Sequence, residues 1–380
     1  ANILREMLTY SDKKNPFDHK EIYDVLDLCL SCKACKSECP SNVDMAKLKA
    51  EFLQHWYNSH GIPIRTRLIA YITRINRLGS MMPGIFNFFV TNRFFSGMVK
   101  QLLGFATKRS IPTIHKLTLR RWLDTYLESL NSQLSAEAPE VVLFVDEFTN
   151  YNDPEIGIRA VRLLNNLGIR VVTVKHPESG RSFISKGMLK RARILASRNI
   201  EILSPIINEN RPLLGIEPSA ILGFRDEIPD LVDEGQREIA HAMSAHCYTI
   251  EEYIAKLVDE GKITRDRFTL SSAVVKLHGH CQQKAIASTE CTKKILSLPL
   301  NYMVEEIPSG CCGMAGSFGY EKEHYDLSMK VGELVLFPAI RRAESDTIIA
   351  APGTSCRHQI KDGTNVRAKH PVEILYEALK

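Results

Sequence analysis

The chain changes its hydrophobic rhythm twice. In residues 1–60 apolar positions recur at helical spacing around a short cysteine-rich loop. Asp18 is placed to cap a helix reaching residue 28, and Ser41 or Asp44 to open another over 45–57 that stops near Gly61. Over 61–135 long apolar side chains alternate with cationic ones, and Pro83 and Gly84 break the run into short amphipathic helices. From Glu140 the period changes again. Val141-Val142-Leu143-Phe144-Val145 is the unbroken apolar, β-branched run of a strand buried on both faces. Pro154 starts an amphipathic helix to about 167, Gly168 stops it, and a second strand spans 169–174. Strand, helix and strand at this spacing imply a parallel sheet. The alternation continues with a helix over 188–203, a strand over 213–216 and a helix after Pro218.

The same order then recurs, so 139–265 and 270–380 read as two copies of one α/β unit. Val274-Val275-Lys276-Leu277 stands where Val141 to Phe144 stand, and strands at 303–307 and 347–351 match the second and third. In the second copy each strand is followed by cysteine: Cys281, then Cys311 and Cys312 between Gly310 and Gly313, then Cys356 in Pro352-Gly-Thr-Ser-Cys. Ligands of open parallel sheets gather beyond the carboxyl ends of the strands. The four sulfurs are therefore expected to converge there, each before a helix whose N-terminal N–H groups favour thiolate. At the corresponding positions the first copy has Glu147 or Phe148, Glu178, Ser179 and Ala220, which cannot hold a metal that needs thiolates. It reads as a structural or docking half, with a carboxylate site at Glu147, Glu178 and Glu217 as the alternative.

Four more cysteines crowd into eleven residues near the start. Cys29, Cys32, Cys35 and Cys39, followed by Pro40, form the C-x2-C-x2-C-x3-C-P run that binds a 4Fe-4S cluster. Three close thiolates suit three corners of one cubane, and the fourth is turned away to serve a second cluster. The next cysteine is Cys247, so the remaining ligands are expected from outside the chain, or the chain is a piece of a longer one; Ala1 in place of Met favours the latter. So tight a spacing also strains any disulfide pattern. Cys247, expected in a helix, and Cys291 read as core residues. His278, His280 and His358 flank the second cysteine set, with His280 the better placed of them as proton partner or spare ligand. His370-Pro371 reads as the start of the last helix.

Composition changes this picture little. At 380 residues, 44% hydrophobic and 24% charged, the chain suits a protein of two or three domains. Clustered rather than scattered cysteines fit metal binding in a reducing compartment. No apolar stretch reaches the roughly 18 residues of a membrane span, and the expected location is cytoplasmic. Charge is more telling. From Phe52 to Leu123 there are eleven Lys and Arg and no Asp or Glu. Basic residues beside large apolar ones suit an anionic membrane surface at the inner face, a quinone channel, a docking face for a flavin domain, or a bridging helical core. No nucleic-acid motif accompanies them.

The Cys-Cys-Gly loop with its flanking cysteines resembles the CCG domain found in heterodisulfide reductases, in glycolate oxidase iron-sulfur subunits and in the iron-sulfur subunit of anaerobic glycerol-3-phosphate dehydrogenase. A closer resemblance rests on the run from Leu28 to Phe52, on Phe148-Thr-Asn-Tyr-Asn, His278-Gly-His-Cys, Cys311-Cys-Gly-Met-Ala-Gly-Ser-Phe-Gly-Tyr-Glu and Ala351-Pro-Gly-Thr-Ser-Cys-Arg-His-Gln-Ile. These are similar to the C-terminal iron-sulfur half of bacterial FAD-linked oxidases of the D-lactate and D-2-hydroxyglutarate dehydrogenase type. That resemblance implies an upstream FAD-binding domain that oxidises a 2-hydroxy acid and an upstream cysteine motif that completes the cluster ligands.

Taken together, the expected architecture is α/β: a ferredoxin-like segment at 1–60, a basic amphipathic helical segment at 61–135, a cysteine-free CCG-like repeat at 139–265 and a cysteine-bearing one at 270–380. The expected function is electron relay from reduced flavin to an acceptor such as a quinone. Two alternatives are a protein of heterodisulfide-reductase type doing thiol-disulfide chemistry at Cys311 and Cys312, and a zinc-stapled docking protein. Cys281, Cys311, Cys312 and Cys356 suit an iron-sulfur cluster, zinc, or a metal-free dithiol. Gly353 stands where the heterodisulfide reductase relatives begin a C-x-x-C, which argues against their larger cluster.

Overall fold

A computed structural model describes residues 1–380. Two parallel sheets carry the second half of the chain. The first contains β1 (Glu140–Phe144), β2 (Arg170–Val172), β3 (Leu213–Gly215) and β4 (Cys247–Thr249) in the order β2-β1-β3-β4. The second contains β5 (Ala273–Leu277), β6 (Tyr302–Glu306) and β7 (Ile348–Ala350) in the order β6-β5-β7. In both, the first strand of the unit is flanked by the second and the third. Val142 of β1 lies opposite Val172 and Leu213, and Val275 of β5 opposite Val304 and Ile348. The internal repeat thus extends to the register.

The two sheets share a core. One cluster of 34 buried side chains runs from Leu143 and Leu214 through Ile254 and Ile295 to Val275 and Leu277. Helix Pro154–Asn166 packs on Pro371–Glu377, and Ile250–Asp259 on Glu290–Leu296, so each unit covers an apolar face of the other. The outer face of the first sheet is closed by Phe183, Ile200 and Phe224, and that of the second by Leu336, Phe337 and Ile360. Each such side chain contributes about 1.5–3 kcal/mol by leaving water.

The N-terminal helices Asn2–Tyr10, Lys20–Asp27 and Met45–His60 close a small cluster of Leu4, Met7, Ile22, Leu26 and Phe52. Asp44 caps the last of them, accepting from Ala46 N–H at 2.9 Å and Lys47 N–H at 3.1 Å, and Gly61 at φ 76° ends it. The second begins one residue later than expected, because Asp18 pairs with His60 and the cap position falls to His19. The basic segment folds into helices Ile64–Ala70, Ile72–Gly79, Pro83–Thr91 and Arg93–Leu103, and Leu119–Asn131 leads into β1. Its cations divide by role. Arg109 is buried and donates to Gly319 O at 2.7 Å and Ser328 Oγ at 2.8 Å, and Arg65 pairs with Glu321, which ties the segment to the second α/β unit. Arg67, Arg74, Arg77 and Arg93 are exposed. No helix is long and apolar enough to cross a membrane.

One element differs from expectation. Cys247 is not helical; it opens β4, an edge strand with no counterpart in the second unit, and its thiol donates to Met243 O. Three residues followed at once by a capped helix are too short to show a strand period. Cys291 sits near the start of Glu290–Leu296 and packs against the shared core.

Candidate metal centre

The second sheet delivers its four cysteines to one place. His280 caps helix Cys281–Ile286, so Cys281 is its first residue, and Cys356 lies in the first turn of Thr354–Thr364. Cys311 and Cys312 are not followed by a helix as expected, but by a tight loop through Gly313 at φ 94°. The Gly313 N–H donates to Cys311 Sγ at 3.3 Å, and a Cβ there would lie 2.2 Å from Ser328 O, so the turn admits only glycine. The thiols form a chain in which Cys281 meets Cys311, Cys311 meets Cys312, and Cys312 meets Cys356. Donation to Cys311, then burial, pushes Cys281 well up; accepting from Cys281 and Cys312 holds Cys311 well down. Cys312 is likewise raised, by its bond to Cys311 and then by that to Cys356, and Cys356 is lowered by its bond to Cys312. In so dry a setting all four sulfurs ionise together only beside a cation. The donor set therefore fits a soft metal or an iron-sulfur centre.

A fifth donor is present that sequence reasoning misplaced. His278 Nδ1 is 2.7 Å from Ser309 Oγ, and its buried Nε2 has no partner. The ligand atoms of His278, Cys312 and Cys356 all lie within 4.8 Å of one another. His280, nearer Cys281 in sequence, turns elsewhere: its Nδ1 accepts from Gln282 N–H at 3.3 Å and its Nε2 is 4.0 Å from Glu217. Sequence carried no signal for this, since strand alternation puts 278 and 280 on one face and only the turn into the cap at His280 separates them. His280 also accounts for Gly353. A Cβ at 353 would sit 2.3 Å from the His280 ring, which occupies the space a cysteine would need.

The first unit repeats the scaffold with oxygen in place of sulfur. Asp146 caps helix Glu147–Tyr151 as His280 caps its own, which aligns Glu147 with Cys281. Glu147 accepts from Ser179 N–H at 3.0 Å and Ser179 Oγ at 2.7 Å, the same meeting of first and second loops that Cys281 and Cys311 make. Glu178 instead accepts from Thr73, and Glu217 accepts from Ser219 Oγ at 2.8 Å and from Thr354 N–H at 2.8 Å. The three carboxylates thus serve separate partners and do not form a common site. Glu217, at the position of Gly353, lends its free oxygen to the helix of the other unit that lacks a capping side chain.

The N-terminal cysteines lie beside this centre. The loop turns through left-handed Ser31 at φ 50° and Lys33 at φ 63°, conformations that persist only where surroundings enforce them. Lys33 supplies the enforcement: its buried ammonium reaches Asp226 at 2.6 Å, Asp44 at 2.9 Å and Glu227 at 3.1 Å. Burial alone would raise Asp226, but Lys33, Lys36 and Lys47 outweigh it and hold the carboxyl well below its usual range. Lys49 donates to Cys29 O at 2.8 Å. Burial pushes Cys32 up, and the charges of Cys311, Cys29 and Cys35 add to it. Cys39 faces away, toward the N–H groups of Val43, Ser41 and Asn42. A cavity of about 440 Å³ has Cys29, Cys281, Cys311, Cys312 and Cys356 in its walls, along with Leu68, Ile72, Ile75, Phe86 and Leu103 of the basic segment. Cys29 of the first sulfur set thus borders the same chamber as all four cysteines of the second.

Known proteins share this chain's sequence throughout. It is 27% identical over 386 residues to a D-2-hydroxyglutarate dehydrogenase of Escherichia coli strain K12, a match covering 100% of this chain and 37% of that protein. Over its whole length the chain is similar to a part of the D-2-hydroxyglutarate dehydrogenases. A second, from Pantoea ananatis, is 26% identical over 388 residues, again 100% of this chain and 37% of its own length. One subunit of the anaerobic glycerol-3-phosphate dehydrogenase of Escherichia coli strain K12 is 28% identical over 287 residues, which are 74% of this chain and 69% of that polypeptide. The chain thus spans little more than a third of the D-2-hydroxyglutarate dehydrogenases it matches. All these relatives are named as dehydrogenases, which are oxidoreductases. No family model matches the chain, and no solved structure does.

Proposed function

We propose that this chain is the iron-sulfur electron-transfer module of an FAD-dependent 2-hydroxy-acid dehydrogenase, relaying electrons from reduced flavin to an acceptor such as a quinone. The names of the relatives supply the substrate class, and the unmatched 63% of their length leaves room for a flavin-bearing part. In this reading the chain corresponds to the C-terminal portion of such an enzyme, at the cytoplasmic face of a membrane, with no role for nucleic acid. Residues 1–60 form the ferredoxin-like segment and 61–135 the basic helical one; 139–265 and 270–380 are the two CCG-type repeats.

Each residue then has a task. Cys29, Cys32 and Cys35 hold three corners of a 4Fe-4S cluster and Cys39 turns to a second. Cys281, Cys311, Cys312 and Cys356 hold a further iron-sulfur cluster or zinc, with His278 beside them. When bound, clusters of this kind accept and release single electrons, into which the electron pair of a reduced flavin must be divided. Lys33 locks the first loop against Asp226 and Glu227 and so keeps its distance to the second set constant. The observation that carries the reading is the chamber that Cys29 of the first set shares with all four cysteines of the second, with Cys32 within electrostatic reach of Cys311.

Iron, sulfide and zinc analysis of the full-length, anaerobically purified protein, with electron paramagnetic resonance after reduction, tests it. Bound iron and a signal from reduced clusters are expected; a protein with neither refutes the proposal. The Cys311 thiol, held low by its bonds to Cys281 and then Cys312 and adjacent to the latter, favours a second reading, thiol-disulfide chemistry at the Cys311–Cys312 pair. Under it, Cys312→Ser abolishes disulfide reduction while flavin-to-dye electron transfer continues.

A further inference from the structure

The chamber beside the cysteines has a second wall that the sulfur chemistry does not use. It also reaches the basic helices, where Leu68, Ile72 and Leu103 line it; its volume of about 440 Å³ includes the room the cysteine-held centres would take, and the apolar end is what remains for a ligand. Of the cations that line it, Arg181 pairs with Glu227, Lys186 with Glu321 and Arg109 with Asp362, while Lys49 and Lys100 donate to backbone carbonyls, those of Cys29 and Arg109. Beside Leu68, Ile72 and Leu103 an apolar ligand finds a matching wall.

The helices that wall this space are apolar on the outside as well. Helix Pro83–Thr91, PGIFNFFVT, buries none of its residues. Phe88, Phe94 and Leu102 are 53%, 73% and 84% exposed. Soluble surfaces rarely carry so continuous an apolar patch. The same segment exposes Arg67, Arg74, Arg77 and Arg93 and has no Asp or Glu from Phe52 to Leu123. Exposed apolar side chains on a basic, acid-free segment are complementary to an anionic bilayer. Val99 belongs to both surfaces: it lines the chamber and is 41% exposed, so the patch and the chamber are continuous.

We propose, resting on the electron-transfer reading above, that this chamber binds the ring of a lipid-soluble quinone that enters from an anionic bilayer through the apolar patch. Bound there, the quinone takes two electrons, one at a time, from the cysteine-held centres that reduced flavin has charged, takes two protons from water, and leaves as the quinol. The apolar wall admits the ring together with the start of its tail.

The test uses the full-length, anaerobically purified protein with its centres loaded, decylubiquinone as the quinone, and vesicles of phosphatidylcholine with or without phosphatidylglycerol. Saturable decylubiquinone binding is expected, weakened at least tenfold by Ile72→Trp or, should that variant not fold, by Leu103→Trp, with hydroxy-acid-dependent dye reduction unchanged. Phe88→Glu with Phe94→Glu is expected to abolish co-sedimentation with phosphatidylglycerol vesicles while decylubiquinone still binds. No saturable binding by protein whose reduced centres give a paramagnetic signal, or equal binding by the tryptophan variants, overturns the quinone site and leaves the electron-transfer reading standing. Failure of wild-type protein to bind anionic vesicles, as when a protein partner covers the patch, overturns the bilayer route. Loss of the paramagnetic signal in wild-type protein instead refutes the underlying reading.

Discussion

The two α/β units are one scaffold with two chemistries at the same edge. Strand order, central register and loop meetings agree, yet where the second unit joins Cys281 to Cys311 the first joins Glu147 to Ser179. Oxygen pairs satisfy each other: a carboxylate accepting two donors needs nothing further. Sulfur pairs do not, since S–H is a weak donor, S a weak acceptor, and a buried thiolate lacks a counter-charge. The comparison teaches that the scaffold sets where a site falls and that the side chains at the strand ends decide whether it requires a ligand. The most drastic way to break it is Cys356→Ser, which is expected to remove all metal from the second centre while the signal of the N-terminal cluster survives. Ala220→Ser, at the corresponding position of the first unit, leaves metal content unchanged. Metal analysis of both variants checks this, and metal retained by Cys356→Ser would sink the assignment.

Much of this symmetry was legible in the chain, because it is carried by short-range signals. The β-branched runs at 141–145 and 274–277 and the punctuation by Pro154 and Gly168 placed six strands within about two residues. The convergence of four cysteines followed from the parallel topology alone. What escaped reading was long-range. Glu217 capping Thr354 spans 137 positions, and the ion cluster of Lys33 joins a cysteine loop to Asp226. The choice of His278 over His280 depends on how the chain leaves β5, and β4 is too short to show its period. The chamber exists only once the basic helices come beside Cys29 and the second sulfur set.

A less drastic test addresses the oxygen pair. Glu147→Ala strands the buried N–H and hydroxyl of Ser179, each at about 1–3 kcal/mol. A loss of about 4 kcal/mol in urea unfolding is expected with metal content unchanged. Adding Ser179→Ala is expected to recover part of the loss, since only the backbone donor then remains unmet. Loss of metal from the second centre in Glu147→Ala would mean that the two units are coupled in their chemistry as well as in their core.

The caps differ in how they respond to pH. Burial, and then the charges of Glu147 and Glu217, push Asp146 up to about 7. Its proton is therefore held more tightly in the folded chain than in the unfolded one, where the carboxyl titrates near 4. The stability tied to that proton is fully present below about pH 4 and declines as pH rises through 7. Asp146→Asn keeps an acceptor for the N–H groups of Phe148 and Thr149 and removes the titration. It is expected to flatten the stability profile by ~3 kcal/mol between pH 4 and 8. Glu251, which burial also pushes up to about 7, supplies the slope that remains. A profile as steep as that of the parent would show that Asp146 is charged in the folded chain.

The smallest change asks why the second unit has four cysteines and not five. Gly353 occupies the cap position that Glu217 fills in the first unit, and the His280 ring stands 2.3 Å from where its Cβ would be. Gly353→Cys therefore forces the ring aside, a cost of about 1–3 kcal/mol for overpacking a closed site. Gly353→Cys combined with His280→Ala opens that space, and the pair is expected to regain at least half of the stability lost and to bind more iron per chain than the parent. Thermal unfolding and iron analysis of the single and double variants decide the matter. If Gly353→Cys alone is as stable as the parent, the histidine does not hold the fifth sulfur out, and the difference between the two units has another cause at this position.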